Sequence, residues 1–215
     1  MTVEDEKRRA AEAAAELLEN GMTVGLGTGS TVAWLLPAVA RRGLDLRCVA
    51  TSPRTETDAR ALGIRVEAFS SIDRLDIAID GADQVAGDGW LVKGGGGAQT
   101  REKVVALAAE RFVVIADSTK ATAALHPPVP LELLSFGLAS TLRRLGPVAL
   151  RDVGPSPDGG VIADWTGAFD DPADLAAHFE ATAGVVEHGL FPPGMVSSVY
   201  LARGNSVEVT TYPPP

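Results

Sequence analysis

Cysteine is almost absent from this 215-residue chain: Cys48 stands alone, so no disulfide framework can form within it. The thiol falls in the strand-like run 46–51, where a buried, inert sulfur is expected. Aromatic residues make up only 5% of the chain, and 19 basic residues face 28 acidic ones. The resulting formal net charge of -9 opposes nonspecific attraction to nucleic acid or to an anionic membrane surface. Long apolar runs are missing too. The longest, at 32–40, contains Pro37 and falls far short of the roughly 20 residues that a membrane helix needs. The opening MTVEDEKRRAAEAAAELLENGM mixes acids and bases without the apolar core and cleavage site of a signal peptide, and reads as a first helix. These absences predict a soluble, cytoplasmic protein with no nucleic-acid or membrane partner.

What is present is a globular composition, 46% apolar, at a length that suits one large domain or a main domain with a smaller companion. Up to about residue 120, helices at 4–19, 31–41, 54–62 and 100–111 alternate with strands at 23–27, 46–51, 65–68, 75–80 and 112–116. Strands as apolar as IAI at 77–79 and FVVIA at 112–116 suit a sheet covered on both faces. The expected fold class is therefore α/β, a doubly wound, mostly parallel, Rossmann-like sheet. After Lys120 the texture changes. HPPVPLELL is followed by a helix at 135–145, strands at 148–153 and 160–163 around the turn-forming PSPDGG, a helix at 171–182, and strands at 185–190 and 197–202. This predicts a smaller α+β, ferredoxin-like domain over 125–203, with 1–124 and 204–215 forming the main domain. The closing YPPP reads as a frayed tail.

Ligands of a doubly wound sheet bind at the carboxyl ends of its strands, and four loops there are unusual. In VGLGTGSTVAWLL, the turn Thr28, Gly29, Ser30, Thr31 offers hydroxyls and helix-start N–H groups to a phosphate, although glycines also serve tight turns. Ser30 replaces the third glycine of a dinucleotide fingerprint, and no Gly-Lys-Ser/Thr follows, so a small phosphorylated ligand fits better. In LDIAIDGADQV, the tight set Asp80, Gly81, Ala82, Asp83 could orient sugar hydroxyls, hold a divalent metal or cap the next segment. His126, His178 and His188 show no ligand spacing to support a metal. In VVIADSTK, Lys120 follows a strand, as Lys93 does elsewhere; two lysines at strand ends of an acidic protein point to an anion pocket.

The fourth loop is LVKGGGGAQTREKVVALAAE. Its glycines, Gly94, Gly95, Gly96 and Gly97, lose much entropy on ordering and pack no side chain, so bare backbone is what they offer. Glu102 follows in the first helical turn. It suits a helix-dipole or capping carboxylate, or a base that removes a proton beside a carbonyl while Lys93 and glycine N–H groups stabilise the enediolate oxygen. Nucleophilic catalysis has less support, since no Gly-x-Ser-x-Gly elbow occurs.

With these loops in view, the chain resembles the ribose-5-phosphate isomerase A family. The matching segments are GLGTGST at 25–31, TSPRTETDARALGI at 51–64, DGAD at 80–83, KGGGGAQTREK at 93–103, ADSTK at 116–120, PVPLELL at 128–134 and GVVEHGLF at 184–191. They run in the family's order over nearly the whole chain. The resemblance implies a cofactor-free, metal-free aldose–ketose isomerase of the pentose phosphate pathway, assembled as a homodimer or homotetramer. It places Glu102 as the base, and Asp80, Asp83 and Lys93 are expected to join it in catalysis by orienting the hydroxyls and assisting ring opening. Residues 28–31, 80–83 and 93–96 match substrate-binding segments, and Lys120 matches a further substrate-binding lysine. Lys7 aligns with a phosphate-proximal lysine of some relatives. Two departures stand out: Gln84 replaces the usual glutamate after DGAD, and PSPDGG replaces a Thr-Asp-Asn-Gly-Asn turn. The readings from other classes are a sugar-phosphate-sensing module, which would need a DNA-binding segment, a CoA-transferase-like enzyme with a glutamate nucleophile, and a metal-dependent isomerase.

Overall fold

The computed structural model describes residues 2–212; of the expected YPPP tail, Tyr212 is instead tied down by its N–H to Ser197 O at 3.0 Å, and 213–215 lie outside the described residues. The chain runs α1 (Val3–Ala15), β1 (Thr23–Leu26), α2 (Val32–Arg42), β2 (Arg47–Ala50), α3 (Pro53–Ala61) and β3 (Ile77–Gly81). Next come β4 (Gln84–Ala86), β5 (Leu91–Val92), α4 (Gln99–Ala108), β6 (Phe112–Asp117) and β7 (Ala121–Thr122). The rest is β8 (Val129–Leu133), α5 (Leu138–Leu145), β9 (Val148–Leu150), β10 (Val161–Trp165), α6 (Pro172–Glu180), β11 (Val185–His188), β12 (Leu190–Phe191), β13 (Ser198–Arg203) and β14 (Ser206–Thr211). Two compact units result. One holds the chain up to Ala82, Arg101–Ala121 and the chain from Gly194 onward; the other holds Asp83–Thr100 and Thr122–Pro193.

The first unit is built on a six-stranded sheet of order β14-β13-β6-β3-β1-β2, parallel except for β14, which returns antiparallel on β13. Alternation along β1 explains the two helical layers. Val24 and Leu26 join a buried cluster with Ala10, Ala11 and Ala14 of α1 and Leu35 and Leu36 of α2. Gly25, facing the other way, lies under Val105 of α4, whose side chain would overlap any Cβ at that position. Local signals start the helices: Thr2 and Asp5 form a reciprocal capping box on α1, and Ser52 caps α3 ahead of Pro53.

The second unit carries a four-stranded antiparallel sheet of order β11-β8-β10-β9. Its chain order β8-α5-β9-β10-α6-β11 is the ferredoxin-like arrangement. Leu131, Leu133, Ala163 and Trp165 pack with Leu145, Leu175 and Phe179 in one core, where the Trp165 and Phe179 rings meet edge-on at 5.8 Å.

Several placements differ from the sequence reading. Residues 65–68 contribute one parallel bridge, Cys48 to Val66, and no full strand. Residues 83–100 belong with the second unit because β4 pairs with β5 and β5 with β12. The strand read at 197–202 belongs with the first: β6 is buried throughout, needs a backbone partner on each side, and finds β3 on one and β13 on the other. Four strands were not legible: β4 and β7 span only three and two residues, too short for a pattern. β8 is masked by its prolines, though the Pro130 carbonyl still accepts from Gly189 N–H, and β14 is largely exposed and so lacks an apolar pattern.

Candidate active site

Parallel pairing puts the carboxyl ends of β1, β3, β6 and β2 along one edge of the first unit's sheet. The turn after β1 is held there by Asp80, at the end of β3. Its Oδ1 accepts the Thr28 N–H at 3.0 Å and the Gly81 N–H at 2.7 Å. Gly27 makes this possible, because a Cβ at 27 would overlap that carboxylate. Gly29 adopts φ 113°, a left-handed conformation that favours glycine, and its carbonyl accepts from Ala33 N–H as α2 begins. Thr28 shares a 2.9 Å hydrogen bond with Ser52, which caps α3, so the turn is tied to two helix starts. Gly29 and Ser30 are exposed, whereas Thr31 is buried at the head of α2.

Lys120 closes the short turn after β6 on the same edge and is partly exposed. Glu6 of α1 braces that turn: its carboxylate accepts the Ser118 N–H and hydroxyl and the Gly204 N–H, and these bonds hold its pKa below the ordinary carboxyl value. Lys7, the next residue, pairs with Glu4 at 2.7 Å. Glu102 sits in the first turn of α4 with 5% of its surface exposed. The carboxyl end of α4 lies beside Leu75, ahead of β3, so its first turn lies toward the carboxyl edge. Thr28 to Thr31, Asp80 to Ala82, Glu102 and Lys120 thus all belong to the first unit.

Asp83, Lys93, Gly94, Gly95 and Gly96 belong to the second. Lys93 is 2% exposed; its N–H donates to Gly189 O, and its ammonium lies 5.5 Å from the centre of the Phe191 ring. Gly94 and Gly97 take φ of 101° and 72°, which lets the run fold back so that Gly97 N–H donates to Gly94 O. Asp83 Oδ2 accepts the Gly95 N–H at 2.7 Å, and a Cβ at Gly95 would crowd that carboxylate.

Sequence reasoning missed two supports of this run. Arg151, just after β9, donates from Nη1 to Gly94 O at 3.0 Å and Gly95 O at 2.9 Å, and pairs with Asp164 through Nε and Nη2. Those Asp164 bonds raise its pKa further, and the charge of Asp83 adds to the effect. Glu132 of β8 is buried and accepts the hydroxyls of Thr100, at the start of α4, and Ser156, in the PSPDGG turn. A lone acid inside the apolar VPLEL run was the legible signal for Glu132; Arg151 had none. Gln84, the departure from the family's glutamate, donates from Nε2 to His126 O at 2.8 Å and accepts His126 N–H at 2.9 Å. Among the described residues, no group of three or more His, Cys, Asp or Glu is arranged to hold a metal ion, and no helix is long and apolar enough to cross a membrane.

Hydroxyls, helix starts and Lys120 collected at the carboxyl edge of a doubly wound sheet are where α/β proteins of this class take their ligands. The family model for ribose 5-phosphate isomerase A (phosphoriboisomerase A) matches residues 47–206. A Caulobacter vibrioides protein named ribose-5-phosphate isomerase A is 46% identical over 207 residues, covering 89% of this chain and 91% of its own. The crystal structure of ribose 5 phosphate isomerase A from Neisseria gonorrhoeae superposes with a TM-score of 0.93 at 32% identity, over 100% of this chain and 99% of its own. A D-ribose-5-phosphate isomerase solved in complex with phospho-erythronic acid gives 0.91 at 30% identity, covering 98% and 100% of the two chains. The chain belongs to the ribose-5-phosphate isomerase A family, and its fold and activity class, an aldose–ketose isomerase, are those of that family.

Proposed function

We propose that the chain interconverts D-ribose 5-phosphate and D-ribulose 5-phosphate through a cis-enediolate, with no metal or cofactor, in the non-oxidative pentose phosphate pathway. The turn at 28–31 and Lys120 hold the 5-phosphate, while Asp80, Asp83 and Lys93 orient the hydroxyls and assist ring opening. Glu102 removes the C2 proton of the open aldose, and the C2–H electron pair forms the C1–C2 double bond as the C1 carbonyl oxygen gains charge. Lys93 and N–H groups of the glycine run meet that charge. The hydroxyl proton on O2 passes to O1, which leaves the charge on O2, and return of the proton from Glu102 to C1 as the C2–O2 carbonyl forms completes the ketose. The observation that carries this reading is the buried Glu102, one helical turn beyond the glycine run, on the unit whose strand ends form the phosphate turn. As the family resemblance implies, the protein works in the cytoplasm as a homodimer or homotetramer.

The test is incubation of the chelator-treated protein with ribose 5-phosphate in deuterated water. Ketose should form with deuterium at the exchanged carbon, and Glu102→Gln should lose about a thousandfold in turnover while still binding inorganic phosphate. Ketose without deuterium would point to hydride transfer, and a normally active Glu102→Gln would remove Glu102 from the role of base.

A further inference from the structure

The Arg151 guanidinium is committed on both sides. Nε and Nη2 grip Asp164 at 2.8 and 2.6 Å, which fixes the plane of the group, and Nη1 spans the carbonyls of Gly94 and Gly95. The peptide joining Gly94 and Gly95 is therefore held at both ends, by Arg151 on its oxygen and Asp83 on its N–H. The next peptide is held by its oxygen on Arg151. In a trans peptide the N–H points opposite the carbonyl, so the Gly96 N–H is turned away from the guanidinium. Gly96 is exposed, and a Cβ there would meet no atom within 4 Å.

We propose that Arg151, oriented by Asp164, is a positioning residue of the isomerase: by holding the Gly94 and Gly95 carbonyls it aims the Gly96 N–H as a donor to the enediolate oxygen. The inference rests on the reading that the glycine run meets the enediolate. Glycine is needed for the reversals at 94 and 97, but four glycines in sequence have no rigidity of their own, and an unclamped run would sample orientations that waste the donor. The side chain itself need not touch substrate.

The experiment compares Arg151→Ala and Arg151→Lys with the parent enzyme. Arg151→Ala should lower kcat about a hundredfold, as expected when one oxyanion donor is misaimed, with KM changed by less than about threefold. Inhibition by inorganic phosphate, which reports on the 28–31 turn, should be unchanged, whereas inhibition by phospho-erythronic acid should weaken with kcat. Millimolar guanidinium should restore part of the Arg151→Ala turnover, an effect that a general loss of folding would not produce. Arg151→Lys, which keeps the charge but cannot span both carbonyls and Asp164, should fall between the two and not respond to guanidinium. Should Arg151→Ala fail to fold, the kcat and phospho-erythronic acid values of Arg151→Lys decide. A folded variant with kcat within about threefold of the parent, or losses that affect phosphate and phospho-erythronic acid inhibition alike, would overturn the assignment. Glu102→Gln measured alongside separates the two readings: if it remains active, the base assignment fails; if it is inactive while Arg151→Ala is normal, only the role of Arg151 fails.

Discussion

The turn after β1 and the glycine run after β5 are both short, glycine-rich and held by a carboxylate, yet they are supported differently. Asp80 reaches the first turn from the end of the adjacent parallel strand, and one carboxyl oxygen takes two N–H groups while Gly27 lets it approach. The glycine run is held by Asp83 and by Arg151, which follows a strand of an antiparallel sheet. Parallel sheets gather strand ends by rule, so the first support needs no further device. In the antiparallel unit the neighbour depends on register, and a separate ion pair aims it.

That contrast can be broken most forcefully at its glycines. Gly27→Ala drives a methyl group into the Asp80 carboxylate and should cost about 3 kcal/mol of stability along with nearly all activity. Gly96→Ala has open space and should leave thermal stability within about 0.5 kcal/mol, so its loss of turnover would report on the substrate alone. Denaturant melts beside steady-state rates distinguish the two; an equal stability loss in both variants would erase the distinction.

Glu132 comes next. Glu132→Ala strands the Thr100 and Ser156 hydroxyls and opens a void in the second unit, and should destabilise by about 2–3 kcal/mol in urea melts. A smaller effect is expected for Gln84→Glu. A carboxylate can accept the His126 N–H but cannot donate to the His126 carbonyl, so restoring the family's usual acid should cost about 1–2 kcal/mol near neutral pH and less in acid, where protonation returns a donor. A more stable Gln84→Glu protein would show that the amide pairing contributes nothing.

The mildest test concerns the brace in the first unit. Because the folded-state pKa of Glu6 is depressed, its contribution is full above the ordinary value of 4.5 and is lost as pH falls through the lowered folded value. Urea midpoints of the parent should therefore drop more steeply than those of Glu6→Gln between pH 5 and the acid limit, and parallel curves would remove Glu6 from the pH dependence.

Much of this was legible because motif and place coincide in a parallel sheet. GTGST, DGA and DSTK each follow an apolar run, so a linear chain already assigns their residues to one edge of the sheet, whereas Asp83 falls to the second unit. The second unit was legible in type but not in detail. Its helices and the strand at 161–165 announce themselves, whereas β8 hides behind prolines, and the extent of the unit follows from the pairing of β4, β5 and β12.

Sequence alone determined the class of fold, the ordered family motifs and the residues on offer: a buried-run cysteine, a phosphate-like turn, a glycine run leading into Glu102. Those depend on local periodicity and on residue chemistry, which a linear chain displays. Only the tertiary structure decided that Gln84 pairs with His126, that Glu132 joins Thr100 to Ser156, and that Arg151 holds the glycine carbonyls. Each is a hydrogen bond whose direction depends on register and on peptide orientation, and no spacing of residue types along the chain encodes either.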